Sequence, residues 1–335
     1  MAATCELGLV TATRQDGGET RVPYWHLRSG RPGEVFAVTA AQHGNEIQGC
    51  EVVRAFREVC ERDLVHGEVI LVPFTNLPAV RHRRSHTTLE GEQPYGEDLG
   101  ENMNRTWPGN PEGNNTERLS YALQQALISR CDHVLDLHSW SRFTATCTLV
   151  RAECANAMAM ADAAQIRFAM KQERPQIPDG APAPIGVPFN NDGRGALCIE
   201  LAPQWVIREK EVRQGLRAAT NIAKLFGLIE GEMERIEGPL VYFTAAERET
   251  RTHTLRAPRS GLFVENDLET SDVVEAGQKL GHLICDDDLA TVDIIAPVSG
   301  YLWQYGCHRE HSDVRLPAMH PYAEEGDVLA AVMTP

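Results

Sequence analysis

Two histidines, two glutamates and a set of arginines stand at spacings that could do chemistry. The segment AAQHGNEIQG places His43 and Glu46 three residues apart, directly after an apolar run that ends at Ala40. In a tight turn that spacing lets an imidazole and a carboxylate converge on one point. A second histidine, His138, closes the run VLDLHS. Two imidazole nitrogens and one carboxylate oxygen form a donor set that suits Zn²⁺ and leaves a fourth position for water. An H-x-x-E pair by itself is common among surface polar residues. Here all three candidates follow runs that read as strands, which places them on one sheet edge. Glu200, in LCIELAPQ, also closes an apolar run. Partial desolvation there would raise its pKa and suit a general base, and a strand-end salt bridge fits the same position.

The remaining candidates are cationic. ENMNRTWPG carries Asn104 and Arg105, and RHRRSH spans Arg81 to His86. A guanidinium is a planar fork matched to a carboxylate, and it keeps its charge when buried. The alternative for the basic run is a solvated loop balancing Glu90, Glu92, Glu97 and Asp98, and that is the reading for Arg81 and His82.

The elements that must position these residues alternate. VFAVTA (35–40) reads as a buried strand. A helix follows over 49–62, with Val52, Val53, Phe56, Val59 and Cys60 at helical spacing. EVILVP (68–73) is a strand, and Thr116 is placed to cap a helix striped by Leu119, Ala122, Leu123, Ala126 and Leu127. A strand begins at His133, residues 154–171 read as helical, ALCIEL (196–201) is a strand, and a last helix carries Val212 to Phe226. This alternation predicts an α/β domain with helices on both faces of a largely parallel sheet. Near Gly231 the texture changes. Beyond Gly238 only short β-rich runs are predicted, and APRSGLF from Ala257 recurs as APVSGYL from Ala296. VEAGQKLGHLI from Val274 has a weaker echo in AEEGDVLAAVM from Ala323. Two copies of a hairpin unit predict a small, quasi-symmetric β-sandwich.

Composition bounds the function. A chain of 335 residues suggests about two domains. Lys and Arg total 32 against 47 Asp and Glu, so the net charge is −15, which disfavours nucleic-acid and anionic-membrane partners. No apolar run is long enough to span a bilayer. The N-terminal stretch lacks a signal-peptide pattern, and nine cysteines without a C-x-x-C pair read as reduced thiols, so a cytoplasmic protein is expected.

Taken together, residues from about 33 to 230 resemble the succinylglutamate desuccinylase and aspartoacylase family, a branch of the zinc carboxypeptidase superfamily. The resemblance rests on HGNEIQG, TNLPAV followed by arginines, NMNRTWPG, TERLSYAL, VLDLHS and CIELA, in that order. Bacterial members also carry a C-terminal β-domain with APRSGLF in this place. The resemblance implies a zinc-carboxypeptidase-like α/β/α sandwich with a mixed sheet over 1–232. Over 233–335 it implies a small all-β sandwich resembling biotinyl and lipoyl domains. It implies one Zn²⁺ per chain held by His43, Glu46 and His138, with Glu200 as general base toward the attacking water. Asn104 and Arg105 match the pair that grips the substrate α-carboxylate, although N-M-N-R stands where the family has D-L-N-R. Arg84 matches the arginine that polarises the scissile carbonyl, with Arg83 as the neighbouring choice. Arg194 is the candidate for a further substrate arginine.

The activity so implied is zinc-dependent removal of an acyl group from a small anionic N-acyl amino acid. A metallocarboxypeptidase of small peptides would use the same machinery, and a non-catalytic binding protein would keep the same fold. A swinging-arm carrier is disfavoured because the hairpin tip CDDDLAT has no lysine. The segment from Arg174 to Gly195, rich in Pro and Gly, is expected to line the pocket. Its lack of a second clear arginine disfavours a dicarboxylic acyl group. The β-domain is read as a lid, a wall or an oligomer contact, and its exposed edges leave room for a homo-oligomer. Tyr301 and Tyr305 are not expected to act. His308, His311 and His320 are read as surface histidines, and Asp286, Asp287 and Asp288 as a solvated turn.

Overall fold

Two ten-residue strands, β1 (Thr4–Thr13) and β2 (Glu19–Arg28), open the chain as an antiparallel hairpin that sequence reasoning left unassigned. β1 lies on the sheet edge with Leu7 70% and Leu9 60% exposed, so no apolar-in, polar-out alternation marks it. The computed structural model describes residues 3–87, 101–178, 180–308 and 320–335. Glu90, Glu92, Glu97, Asp98 and His311 lie outside the described residues.

The site-bearing part follows the alternation closely. In chain order it comprises β3 (Val35–Ala40), α1 (Gln48–Asp63), β4 (Glu68–Val72), α2 (Leu77–His82), α3 (Asn115–Ala126) and β5 (His133–His138). Then come β6 (Cys147–Arg151), α4 (Ala155–Ala164), β7 (Phe168–Gln172), α5 (Gly186–Asn191), β8 (Ala196–Glu200), α6 (Glu209–Leu225) and β9 (Val241–Phe243). The nine strands form one mixed sheet in the order β1-β2-β4-β3-β5-β8-β6-β7-β9. The central run β4-β3-β5-β8 is parallel, and β6 enters antiparallel to β8. One face is covered by α1, α4 and α6, which bury Val52, Phe56, Met160 and Ile222 against Leu135 and Ile199. The opposite face packs Leu119, Leu123, Ile185 and Phe189 against Ala37, Ile70 and Val134.

Three expectations need correction. The apolar stretch 154–171 is not one helix: α4 stops at Gln165, which takes a left-handed φ of 55°, and β7 begins at Phe168. Gln165 is no glycine, so the sequence carries no stop signal at the point where the chain turns. The cap of α3 is Asn114, not Thr116. Asn114 forms a capping box with Glu117, and Thr116 lies inside the first turn. A short helix, α7 (Ala245–Arg251), does follow Gly238, capped by Thr244 and Glu247. β9, also beyond Gly238, pairs with β7 as the edge of the large sheet.

The C-terminal strands reproduce the internal repeat. They are β10 (Thr252–Arg256), β11 (Gly261–Glu265), β12 (Val273–Val274), β13 (Lys279–Cys285), β14 (Thr291–Ile295), β15 (Gly300–His308), β16 (Tyr322–Ala323) and β17 (Val328–Met333). Their two four-stranded sheets run β10-β17-β15-β12 and β14-β13-β11-β16. Exchanging each strand for its partner four places along the chain maps one sheet order onto the other. Both β11 and β15 start at the glycine of the repeated phrase. Phe263, Leu283, Leu302 and Leu329 fill the space between the sheets.

Candidate active site

His43 and Glu46 sit on the loop that leaves β3, and the route of that loop is fixed by close packing. Ala41 turns it at a φ of 56°. Gly44 then lies so near α2 that an added Cβ would stand 2.1 Å from the Ala79 carbonyl carbon, so only glycine fits. The Gly44 N–H donates to Ser85 O at 3.2 Å. At the other end, the buried Gln48 donates to Pro203 O at 2.9 Å and accepts from the Arg208 N–H at 3.0 Å, tying α1 to the loop after β8.

This brings three ligand-type side chains together. The donor atoms of His43, Glu46 and His138 lie within 4.8 Å of one another, and all three residues are buried. Both Nδ1 atoms face the Glu46 carboxylate, His43 toward Oε1 and His138 toward Oε2, each at 2.8 Å. The Ser139 N–H donates to the same Oε2 at 3.0 Å. The outer nitrogens are held as well. His43 Nε2 donates to Asn102 Oδ1 at 3.0 Å, and that oxygen also accepts from the Asn104 N–H at 2.9 Å. His138 Nε2 donates to Asp136 Oδ2 at 2.8 Å, while Thr39 and Gln42 donate to the Asp136 carboxylate at 2.7 and 2.6 Å. With each Nε2 committed as donor, each Nδ1 is the atom left to offer a lone pair when the ring is neutral.

The charges explain the cluster. Burial by itself would push the Glu46 carboxyl up, but His43 and His138 outweigh it and hold Glu46 well below the usual carboxylate range. Burial likewise opposes protonation of the imidazoles, yet Glu46 raises His43, and Asp136 with Glu46 raises His138 well above the ordinary value. With both imidazoles neutral, the two buried carboxylates leave a net negative charge that a divalent cation would balance. The donor set fits a divalent metal ion of intermediate softness.

A cavity of about 610 Å³ opens beside the cluster, and His43, Glu46, Asn104, Arg105, Asp136 and Glu200 line it. Glu200 ends β8 as the direct cross-strand partner of His138. Asn104 and Arg105 occupy a single 3₁₀ turn, Met103–Arg105, anchored by the fully buried Trp107. Trp107 donates to Gln42 Oε1 at 2.7 Å and exchanges backbone hydrogen bonds with Ala183. Asn104 Oδ1 is buried and has no partner among the described residues. The segment rich in Pro and Gly supplies much of the opposite wall, including Pro175, Pro184, Ile185 and Asn190.

The fold and the site now stand beside known proteins. Residues 32–226 match the model of the succinylglutamate desuccinylase/aspartoacylase catalytic domain. The chain belongs to this family. It is 25% identical over 277 residues to N-alpha-acetyl-L-2,4-diaminobutyric acid deacetylase of Halomonas elongata, a match covering 79% of this chain and 75% of that one. Among solved structures, a succinylglutamate desuccinylase/aspartoacylase from Rhodobacter sphaeroides superposes with a TM-score of 0.66 at 21% identity, covering 99% of this chain and 96% of that one. The product-bound ectoine utilization protein EutE (DoeB) of Ruegeria pomeroyi superposes with a TM-score of 0.67 at 20% identity, covering 100% and 95%. Both share the fold over the whole length, β-domain included.

The candidate arginines are placed unevenly. Arg105 is exposed and Nη1 donates to its neighbour's carbonyl, Asn104 O, at 3.0 Å. Arg83 is exposed in a left-handed cap of α2, and Arg84 is half-buried beside it with its carbonyl against Gly44. Arg194 is not brought to the cavity. It precedes β8, at the end opposite Glu200, where it donates to Cys131 O at 2.8 Å, pairs with Asp192 and lies over Phe189. Tyr301 packs on Phe168, and the Tyr305 hydroxyl bonds within the β-domain, so neither lines the cavity.

Sequence reasoning passed over Asp136, Asn102, Gln42 and Arg151. Asp136 had a readable signal, since residues two apart on a strand point to one face and His138 was already a candidate. Asn102 and Gln42 had none, because their roles depend on loops meeting in space.

Proposed function

We propose that the protein is a zinc-dependent amidohydrolase that removes the acyl group from a small anionic N-acyl amino acid. The observation that carries this reading is the buried His43–Glu46–His138 cluster opening onto a cavity that also holds Glu200, Asn104 and Arg105. Membership of a desuccinylase and aspartoacylase family and likeness to a deacetylase of an acetylated amino acid support the substrate class. Zn²⁺ held by His43, Glu46 and His138 would supply Lewis acidity, polarising a carbonyl and acidifying water.

The chain's own residues do the rest. Glu200 accepts a proton from the attacking water, whose oxygen bonds to the carbonyl carbon. The C–N bond then breaks, and the proton passes to the departing nitrogen, giving a carboxylic acid and a free amino acid. Arg105 grips the α-carboxylate and so presents the amide. Asn104, whose buried Oδ1 has no partner among the described residues, joins Arg105 in holding the substrate and would accept a substrate N–H. Arg84 is the better candidate for the carbonyl oxygen because it is half-buried with its backbone carbonyl against Gly44, whereas Arg83 is exposed in the cap of α2, although neither lines the cavity formed by the described residues. All nine cysteines are free, which suits a reducing cytoplasm, and no helix among the described residues is long and apolar enough to cross a membrane.

The test is elemental analysis of the purified chain and of a His43→Ala, His138→Ala double variant, followed by amine-release assays. About one zinc per chain, lost in the variant, with release from acetylated amino acids is expected. Release from dipeptides alone would favour the peptidase, and no metal uptake in either protein would overturn the hydrolase.

A further inference from the structure

The chain just past Glu200, residues 201–205, forms a strap laid across the loops that carry the metal-type side chains. The Leu201 N–H donates to His138 O, the Gln204 N–H to Trp140 O and the Trp205 N–H to Asn45 O, each at 2.9 Å. The strap therefore bonds to the backbone at or beside His138 and Glu46, on two different loops. It is tied from behind as well, with the Ala202 N–H on Thr146 Oγ1 at 3.0 Å and Pro203 O accepting from Gln48 at 2.9 Å. Trp205 takes a left-handed φ of 72°. A bulky residue keeps that conformation where its surroundings over-determine it, and such strain gathers at functional sites.

Gln204 is the side chain through which the strap meets the cluster. It lines the cavity, and its Nε2 donates to Ser139 O at 2.8 Å and to Glu46 Oε1 at 3.4 Å. Both neighbours are acceptors, so the NH₂ end of the amide must face them, and its two hydrogens serve one each. The shorter bond anchors the amide, and the longer one aims it at the carboxylate. Glu46 is thereby held from two sides, by the Ser139 N–H on Oε2 and by Gln204 on Oε1. A neutral amide suits this place on charge grounds. A carboxylate here would face Glu46 and repel it, and an ammonium would compete with a divalent cation at the cluster.

We propose that Gln204 is a positioning residue for the reaction. It locks the orientation of the Glu46 carboxylate and, through the strap, the separation between the cluster and Glu200. Glu200 ends β8 four residues before Gln204, so a shift of the strap moves the base and the Glu46 carboxylate against each other. A misplacement of about 1 Å in such an arrangement costs rate steeply. This inference deepens the hydrolase reading and rests on it for the reaction, while the hold on Glu46 is tested without it.

The experiment uses the full chain, stripped with a chelator and reloaded with Zn²⁺ or Co²⁺. Gln204→Met removes both donors at similar length, and Gln204→Glu keeps the shape but sets a charge against Glu46. Chelator competition should show zinc affinity lowered about tenfold or more in Gln204→Met, and further in Gln204→Glu. The Co²⁺ absorption bands, which report ligand geometry, should shift in both. In steady-state assays kcat should fall with KM little changed. Unaltered affinity and Co²⁺ bands together with a raised KM would make Gln204 a substrate contact and overturn the proposal. A lowered melting temperature with unaltered Co²⁺ bands would make it a packing residue and overturn the proposal likewise. If the metal readouts behave as expected but the wild type hydrolyses no acylated amino acid, the hydrolase reading falls and the hold on Glu46 stands. Hydrolysis by a wild type whose variants match it in metal affinity and Co²⁺ bands does the reverse.

Discussion

Asp136 shows how much of the candidate site lies just behind the His43–Glu46–His138 cluster. Its carboxylate fixes the His138 ring through Nε2, and Thr39 and Gln42 hold the carboxylate in turn. Such outer partners typically change metal affinity about 10–100-fold when altered. Asp136→Asn should therefore weaken zinc binding by about tenfold or more in a chelator competition, with the circular dichroism spectrum unchanged. Unaltered affinity would show that the ring is held by packing alone. Glu200 is the complementary case, since it belongs to no metal-type cluster among the described residues. Glu200→Gln should keep the full zinc content and lose about 10²–10⁴-fold in kcat. A parallel loss of zinc would make Glu200 a ligand instead of a base.

At the scale of elements, the site depends on how loops leave the parallel strands. Gly44 packs against the Ala79 carbonyl, so Gly44→Ala must push the loop off α2. We expect a destabilisation of about 1–3 kcal/mol together with reduced zinc content, measured by denaturant unfolding and elemental analysis. The first turn of α6 carries a different liability. Glu211 is buried, bonded to Thr146 Oγ1 and to Gln214 Nε2, and burial pushes its pKa above the ordinary 4.5. A raised folded-state pKa means the folded chain binds this proton more tightly than the unfolded chain does. Its contribution is greatest below the unfolded pKa and fades as pH climbs through the folded value. The difference in melting temperature between Glu211→Gln and wild type should thus move in favour of the variant from pH 4 to pH 7. A difference that stays constant with pH would refute this. The same scale shows why some elements were illegible. The VFAVTA and ALCIEL strands announce themselves as apolar runs, while β6 is five residues of mixed character and β1 is an exposed edge.

The whole molecule is held together by an apolar cluster shared between the large sheet and the β-domain. Phe168 of β7 and Phe243 of β9 pack edge-on against Trp303 of β15, with ring centroids 5.0 and 5.4 Å away. Trp140, a cavity residue, meets Trp303 at 5.7 Å, and the Ala145 N–H donates to Trp303 O at 2.8 Å. The β-domain therefore stands behind the wall of the cavity through Trp140. Trp303→Ala should cost about 3–5 kcal/mol and raise KM more than it lowers kcat. Calorimetry of the wild type should show one transition for the whole chain, because the junction resembles a core more than a polar inter-domain contact. Two well-separated transitions would contradict that.

The sequence by itself determined the alternation of strands and helices, the repeat in the C-terminal part, and the metal-type residues, because these are local. Apolar period and residue type fix where a strand ends, and His43, Glu46, His138 and Glu200 all stand just past or at such ends. The arginines were less legible. Arg194 looked eligible by its nearness to Glu200 in sequence, yet β8 lies between them and sends the two to opposite ends of the sheet. Arg151 looked like the end of an unremarked segment until β6 folded antiparallel beside β8 and turned it into the cavity. Which distant side chains share a pocket depends on strand order and direction, and those are decided only when the sheet is assembled.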